Sequence, residues 1–385
     1  MKIFTMVQIS SIKYTNYLHM IAEILIDFDN YSDKIVLHFN VTSIPQYVYV
    51  LKDTINSQLQ DKSDYFKLPN MHLTQFPSDL FHKAYWIKNA CMSFNKFTTI
   101  PSSIELGNLM IDNNKLLSPF VVPSLITSIS ICSNNIKVIK LQNDNSNKEL
   151  VCSSNALTSI IGNLSKIKKL VCSNNNLMEL VLDDARLMTY LNCGNNKIHS
   201  LNIPLNLIYF NAYSNKLEGT MDLRKHKKML FVNIVGNCLT NFYPPPCAKT
   251  IECSSNQLKY LRVGDYMENL LCSNNQLDTL YIHTKTKNII SSYNPLRKIV
   301  IREQEKKNIS HLSIDLNESH VKIVTPIRFL STILASYYKS NTLDNKTKHG
   351  PEMVINSSAY CVQMWWKKNM YPLFSDDGSN LKISI

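Results

Sequence analysis

Along most of this chain the apolar residues fall into one short phrase that keeps returning. The phrase is Leu-x-Cys-x-x-Asn-x-Leu-x-x-Leu, as at Leu170, Cys172, Asn175, Leu177 and Leu180, and again at Leu270, Cys272, Asn275, Leu277 and Leu280. Its Asn recurs at Asn95, Asn114, Asn134, Asn155, Asn175, Asn196, Asn215, Asn237, Asn256, Asn275, Asn294 and Asn317. The period is about 20 residues over about twelve copies, which is the mark of stacked supersecondary units. Within a copy, the residues five and three before the Asn are apolar and flank a variable one, as in Leu150-Val151-Cys152 and Leu191-Asn192-Cys193. That alternation predicts a short strand with one face inward.

The Asn follows where the chain must turn. An amide buried there can bond backbone groups of its own and the neighbouring turn, and buried peptide groups require such partners. Stacked copies therefore predict an Asn ladder. About 20 residues cannot hold a strand and a full helix with two connections, so the return path is expected to be extended or 3₁₀-like. Proline agrees: Ile100-Pro101, Ile203-Pro204 and Tyr243-Pro244-Pro245-Pro246 all follow the Asn-x-Leu segment. Proline suits an extended course and lacks the N–H that a helix interior needs. One copy alone cannot bury enough apolar surface to offset its own ordering, so the copies must share a continuous interior.

On these residues the chain resembles the leucine-rich repeat superfamily, of the short-repeat type found in large-DNA-virus proteins and some bacterial effectors. The resemblance covers roughly residues 66–320. It implies a repeat solenoid, a horseshoe with a parallel β-sheet on the concave face and an extended or 3₁₀ convex side. It also implies that the concave face binds another protein. Two copies depart from the pattern: Met71 stands where an Asn belongs, and Ser291 replaces the inward residue before Asn294.

The ends lack the repeat. Residues 1–65 are expected to form an amino-terminal cap, because a bare first repeat would expose unpaired strand edge and core. There, Leu18, Ile21, Leu25 and Phe28 have helical spacing, while Lys34 to Phe39 and Tyr47 to Leu51 read as strands. Residues 321–385 are expected to be an α-helical carboxyl-terminal segment, either a cap or a small docking module. Thr325-Pro326 reads as a helix start, with Ile327, Leu330, Ile333, Leu334 and Tyr337 on one face. A second helix is expected from Val354 to Met370, carrying Trp365 and Trp366.

Composition narrows the setting. The chain has 385 residues, 44% hydrophobic and 18% charged, which suits a folded protein rather than a disordered one. No apolar run reaches the ~18 residues of a membrane span, and the first residues are too polar for a signal peptide, so an intracellular, cytoplasmic protein is expected, in host cytoplasm if the source is viral. Of the 10 Cys, Cys152, Cys172, Cys193, Cys253 and Cys272 share the inward position, where thiols act as small buried hydrophobes. Their spacing fits neither a zinc site nor a disulfide ladder. Cys238, Cys247 and Cys361 are less constrained. A net charge of +12 favours a partner with an acidic surface. The densest basic cluster is Arg224-Lys225-His226-Lys227-Lys228; others lie at Lys166, Lys168, Lys169 and between Arg302 and Lys307. Acidic residues interrupt them, so solvated charge outranks a nucleic-acid track.

For binding, the variable strand positions matter. Four residues before the Asn stand Asn192, Asn211, Asn233 and Glu252. Two residues earlier stand Tyr190, Tyr209 and Phe231, and Tyr213 precedes Asn215 by two. With strands ~4.8 Å apart these make an aromatic column beside an amide column. Such a surface suits protein recognition, and cross-strand aromatics also stabilise a sheet. No phosphate loop, HExxH, GxSxG or paired-Cys motif is present, and the 10 His are scattered. The expectation is a non-enzymatic protein-interaction scaffold without cofactor or metal. The alternatives are a substrate-recognition adaptor for a ubiquitin ligase and a structural protein of a viral particle, with nucleic-acid binding last. Oligomeric state is left open by the sequence.

Overall fold

The computed structural model describes residues 4–16, 19–28, 31–39, 53–55, 57–59, 61, 63–283, 286, 288–302, 313–315, 322–325, 353–355 and 383–384. It divides into two units, Met1–Lys197 and Ile198–Ile385.

In the first unit, three-residue strands stack in parallel as Tyr65–Lys67, Asn89–Cys91, Asn108–Met110, Ser128–Ser130, Glu149–Val151, Lys169–Val171 and Tyr190–Asn192. The register holds residue for residue: Leu150 sits between Ile129 and Leu170, and all three are fully buried. The coil then turns and returns through a second set of strands. Phe120–Val121, Val138–Lys140 and Ser159–Ile161 pair in parallel on that return side. Leu and Ile from the two strand sets and their turns fill the space between, among them Ile126, Ile139, Leu157 and Ile167.

The second unit repeats the plan. Its ladder strands are Tyr209–Asn211, Phe231–Asn233, Thr250–Glu252, Asn269–Leu271, Asn288–Ile290 and Ser313–Asp315. On the return side Glu218–Asp222 pairs with Cys238–Tyr243. Tyr260–Arg262, Thr279–His283, Lys298–Arg302, Lys322–Thr325, Met353–Ile355 and Ile383–Ser384 form a further parallel sheet. After the first coil, the described returns combine extended segments with single i→i+3 turns, as at Leu164–Ile167, Leu182–Ala185, Ala185–Met188 and Leu223–His226. Where returns are extended they pair with their neighbours, and elsewhere the i→i+3 turns supply N–H partners locally.

The first coil is longer than the others and uses its extra residues for a helix, Ser78–Lys83. Phe81 on this helix stacks on Phe76 at 5.4 Å and meets Phe66 edge-on at 6.0 Å, closing the core below the first ladder strand.

The amino-terminal segment differs from expectation. Leu18 lies outside the described residues, and Ile21, Leu25 and Phe28 belong to a strand, not a helix. His19–Phe28 is the middle of an antiparallel sheet between Phe4–Asn16 and Tyr31–Phe39, with Ile24 opposite both Ile9 and Ile35. A short apolar run satisfies helical and extended spacing alike, and Ile-rich runs settle as strands when neighbours can pair. The strand expected over Lys34 to Phe39 lies within Tyr31–Phe39. Tyr47 to Leu51 fall outside the described residues.

At the carboxyl end, Thr325 closes the strand Lys322–Thr325, and Ile327 to Tyr337 lie outside the described residues. The second expected helix is corrected at its start: Val354 and Ile355 are in the strand Met353–Ile355, where β-branched residues extend the return sheet. The remainder of that segment, with Cys361, Trp365 and Trp366, is outside the described residues.

Candidate functional site

Each coil is tied to the next by one carboxamide. Asn155 Nδ2 donates to the carbonyls of Cys152 and Ser153 in its own turn, and to Ile131 one coil back. Its Oδ1 accepts the N–H of Ile136 in that earlier coil. The same set recurs at Asn114, Asn134, Asn175 and Asn196 in the first unit and at Asn237, Asn256, Asn275 and Asn294 in the second. Asn95 bonds the Leu68 carbonyl and the N–H groups of Met71 and Leu73, so the coil with Met71 in the Asn place is still held from above. Asn215 donates to Ala212 and Tyr213 and accepts from Ile198. Asn317 lies outside the described residues.

The residue just before each described Asn of the ladder has a left-handed backbone, from Phe94 at φ 60° and Asn113 at 54° through Gly236 at 68° to Tyr293 at 57°. Only this conformation turns the strand sharply enough to aim the carboxamide inward. Most coils place Gly or Asn, which tolerate it, or the small Ser there, and this column is legible in the sequence once the Asn register is drawn. Phe94 and Tyr293 are exceptions: both are bulky, and they stand 57% and 72% exposed.

Three residues before the Asn, Cys152, Cys172, Cys193, Cys253 and Cys272 are fully buried, and every described cysteine is a free thiol. Burial pushes the thiol of Cys193 up to about 12 and that of Cys272 up to about 12; Cys152, Cys172 and Cys253 are raised as well. Cys238 is exposed and Cys247 half-buried. Among the described residues no group of three or more His, Cys, Asp or Glu could hold a metal, and no helix is long and apolar enough to cross a membrane.

The outward positions of the ladder strands make the candidate face. In the second unit Tyr209 lies opposite Phe231, Asn211 opposite Asn233, and Asn233 opposite Glu252. The Tyr209 and Phe231 rings are parallel within 3° at 4.5 Å between centroids. Asn233 Nδ2 donates to Glu252 Oε2 at 2.6 Å, Asn211 Nδ2 donates to the Tyr209 hydroxyl at 3.4 Å, and Asn211 Oδ1 accepts the N–H of Tyr213 at 3.2 Å. These six residues therefore form one connected patch. Asn211 is buried within it, and the others are half-buried.

In the first unit Tyr190 and Asn192 are half-buried on the strand beside Lys169–Val171. Lys169 Nζ lies 5.7 Å from the Tyr190 ring and 3.8 Å from Glu149 Oε2. Two or three coils away the same face turns polar: Asp112 Oδ1 accepts the Ser130 hydroxyl at 2.7 Å and the Cys132 N–H at 2.6 Å.

Parallel ladder strands, an Asn ladder between successive coils and a period of about 20 residues match one repeat architecture. The chain has the leucine-rich repeat fold. Among solved structures it is similar to the leucine-rich repeat domain of APL1B, at 18% identity over 77% of this chain and 91% of that one, with a TM-score of 0.52. It also matches YopM from Yersinia enterocolitica WA-314, at 16% identity over 71% of each chain and a TM-score of 0.46. A third match is the internalin InlF from Listeria monocytogenes str. 4b F2365, at 13% identity over 70% of this chain and 91% of that one, with a TM-score of 0.46. No family model and no curated protein matches the sequence.

Proposed function

We propose that this protein is a non-enzymatic scaffold that binds a partner protein through the outward face of its ladder strands. The observation that carries this reading is the stacked Tyr209–Phe231 pair, bordered by Asn211, Asn233 and Glu252. Rigid aromatics beside oriented amides give large contact area at small entropic cost, which is the composition of interface centres. Both rings are half-buried in the free chain, so each still has surface for a partner to cover. In this reading residues 1–65 and 321–385 flank a repeat array of 66–320, and the basic balance of +12 favours a partner with acidic surface.

The test is affinity capture from cell lysate with the full chain and with the Tyr209→Ala/Phe231→Ala variant. Losing the stack costs about 0.5–1.5 kcal/mol beyond area, which the array should tolerate, and a thermal melt checks that it does. Asn233→Ala provides a second variant that leaves the rings alone. The proteins captured by the full chain should be depleted by both variants. An unchanged capture profile would exclude this face as the contact surface.

A further inference from the structure

The return side of the second unit carries a cleft of about 470 Å³, separate from the ladder face. Its walls include Arg224, Tyr243, Tyr260, Arg262, Tyr266 and Tyr281. Three of these share a coil position: Tyr243, Arg262 and Tyr281 each stand six residues after their ladder Asn. Strand register places Arg262 beside Tyr281, and Tyr260 reaches across to Tyr281 with ring centroids 5.4 Å apart. Val263 and Ile282 line the same cleft and are buried.

The wall on the turn side depends on Gly264. A Cβ there would stand 2.7 Å from the Pro246 carbonyl oxygen, so only glycine lets these two turns approach backbone to backbone. Tyr266, two residues on, is 56% exposed, and Tyr260 and Tyr243 are 45% and 38% exposed.

The two guanidinium groups play different parts. Arg224 is engaged: Nε and Nη2 donate to the two Asp222 oxygens at 2.9 and 2.6 Å, and the group lies 4.6 Å from the Tyr243 ring. Arg262 is exposed, and no ion pair joins it to an acidic residue among the described residues. Exposed Lys225, Lys227, Lys228 and Lys259 lie on the adjoining stretches of chain, against Glu218, Asp222, Asp265 and Asp278, of which Asp222 and Asp278 are paired with Arg224 and Arg297. The local charge therefore favours a negative occupant.

A small anion would use the guanidinium fork and leave four tyrosine rings idle. A phosphodiester chain, charged at every unit, would leave the buried Val263 and Ile282 floor without an apolar partner. A peptide uses both halves of the site. We propose that this cleft docks an acidic peptide segment of a partner protein. A side-chain carboxylate lies on the Arg262 fork, and a neighbouring apolar side chain lies among Tyr243, Tyr260 and Tyr281. Arginine and tyrosine around an apolar floor are the residue types that concentrate binding energy, and the volume suits one or two side chains. This site does not depend on the ladder face, so the two can fail separately.

The experiment is fluorescence anisotropy on the full chain with fluorescein-labelled peptides. The probes carry Glu on both sides of a central Leu, Phe or Pro, each with a Gln-for-Glu counterpart. At least one Glu peptide should bind with a submillimolar Kd, and its Gln counterpart should bind about tenfold or more weakly. Arg262→Glu and the milder Arg262→Gln should each weaken the Glu peptide, by about tenfold for the reversal. Tyr260→Ala should weaken it about fivefold, and the Tyr209→Ala/Phe231→Ala variant should bind as the parent does. The proposal is overturned if no Glu peptide binds, if Gln peptides bind equally, or if both Arg262 variants bind unchanged. Tighter binding of a labelled oligothymidylate than of every peptide would also overturn it, in favour of nucleic acid.

Discussion

Asn175 carries five hydrogen bonds on one side chain. Its Nδ2 donates to the carbonyls of Cys152, Cys172 and Ser173 at 3.1, 3.0 and 3.1 Å, and its Oδ1 accepts from the Asn155 and Leu157 N–H groups at 3.2 and 3.0 Å. No apolar residue can replace this, since each buried peptide group left unpaired costs about 1–3 kcal/mol. Asn175→Leu is expected to lower stability by at least about 2–3 kcal/mol, read from urea unfolding midpoints. Asn175→Asp should be worse, because a carboxylate would face three carbonyl oxygens with no proton to give. The Asn was legible from its spacing alone. That it would bond a neighbouring turn was legible too; which carbonyls and N–H groups it takes one coil back was not, because they stand about 20 residues away and only stacking brings them within reach.

At the scale of the element, two glycines show how tightly successive returns pack. Gly162 has φ +114°, and a Cβ there would collide with the Leu141 carbonyl group of the preceding return. Gly219 has φ +71° but open space where a Cβ would go. Gly162→Ala combines a left-handed penalty with a steric one and is expected to cost about 2–5 kcal/mol. Gly219→Ala carries the conformational cost alone, about 1–2 kcal/mol. Thermal melts of the two variants should separate them in that order, and equal melting temperatures would mean that the returns can move apart. The helix expected through Ile21 and Leu25 failed at this same scale. Its apolar spacing admitted two readings, and the antiparallel pairing of Ile24 with Ile9 and Ile35 selected the strand.

Across the whole molecule, the inward cysteines act together. With the folded thiols of Cys193 and Cys272 pushed up to about 12 from 9.0, the folded chain holds protons that the unfolded chain has released. Their contribution to stability is complete below pH 9 and is lost as pH rises from 9 toward 12, since the folded state is then the one binding more protons. Urea midpoints should accordingly fall between pH 8 and pH 10.5, and Cys193→Ala should make that fall shallower. Alkylation at pH 8 offers a second measurement. Iodoacetamide should modify the exposed Cys238 readily, and should reach Cys152, Cys172, Cys193, Cys253 and Cys272 only in denaturant.

The sequence by itself determined the coil: its length, its inward residues, the place of each turn and the carboxamide that closes it. These are legible because they recur with one period, and a buried strand face or a buried amide admits few residue types. Tertiary structure decided what the period does not encode. It turned the Tyr209 and Phe231 rings parallel at 4.5 Å within the expected column, paired a share of the returns as strands, and gathered Arg262, Tyr260 and Tyr281 around one cleft. Those outward positions are solvated in an isolated coil, so no burial constraint marks them along the chain. The register names the column, but its contacts form only when neighbouring coils stack about 4.8 Å apart and bring residues of different repeats together.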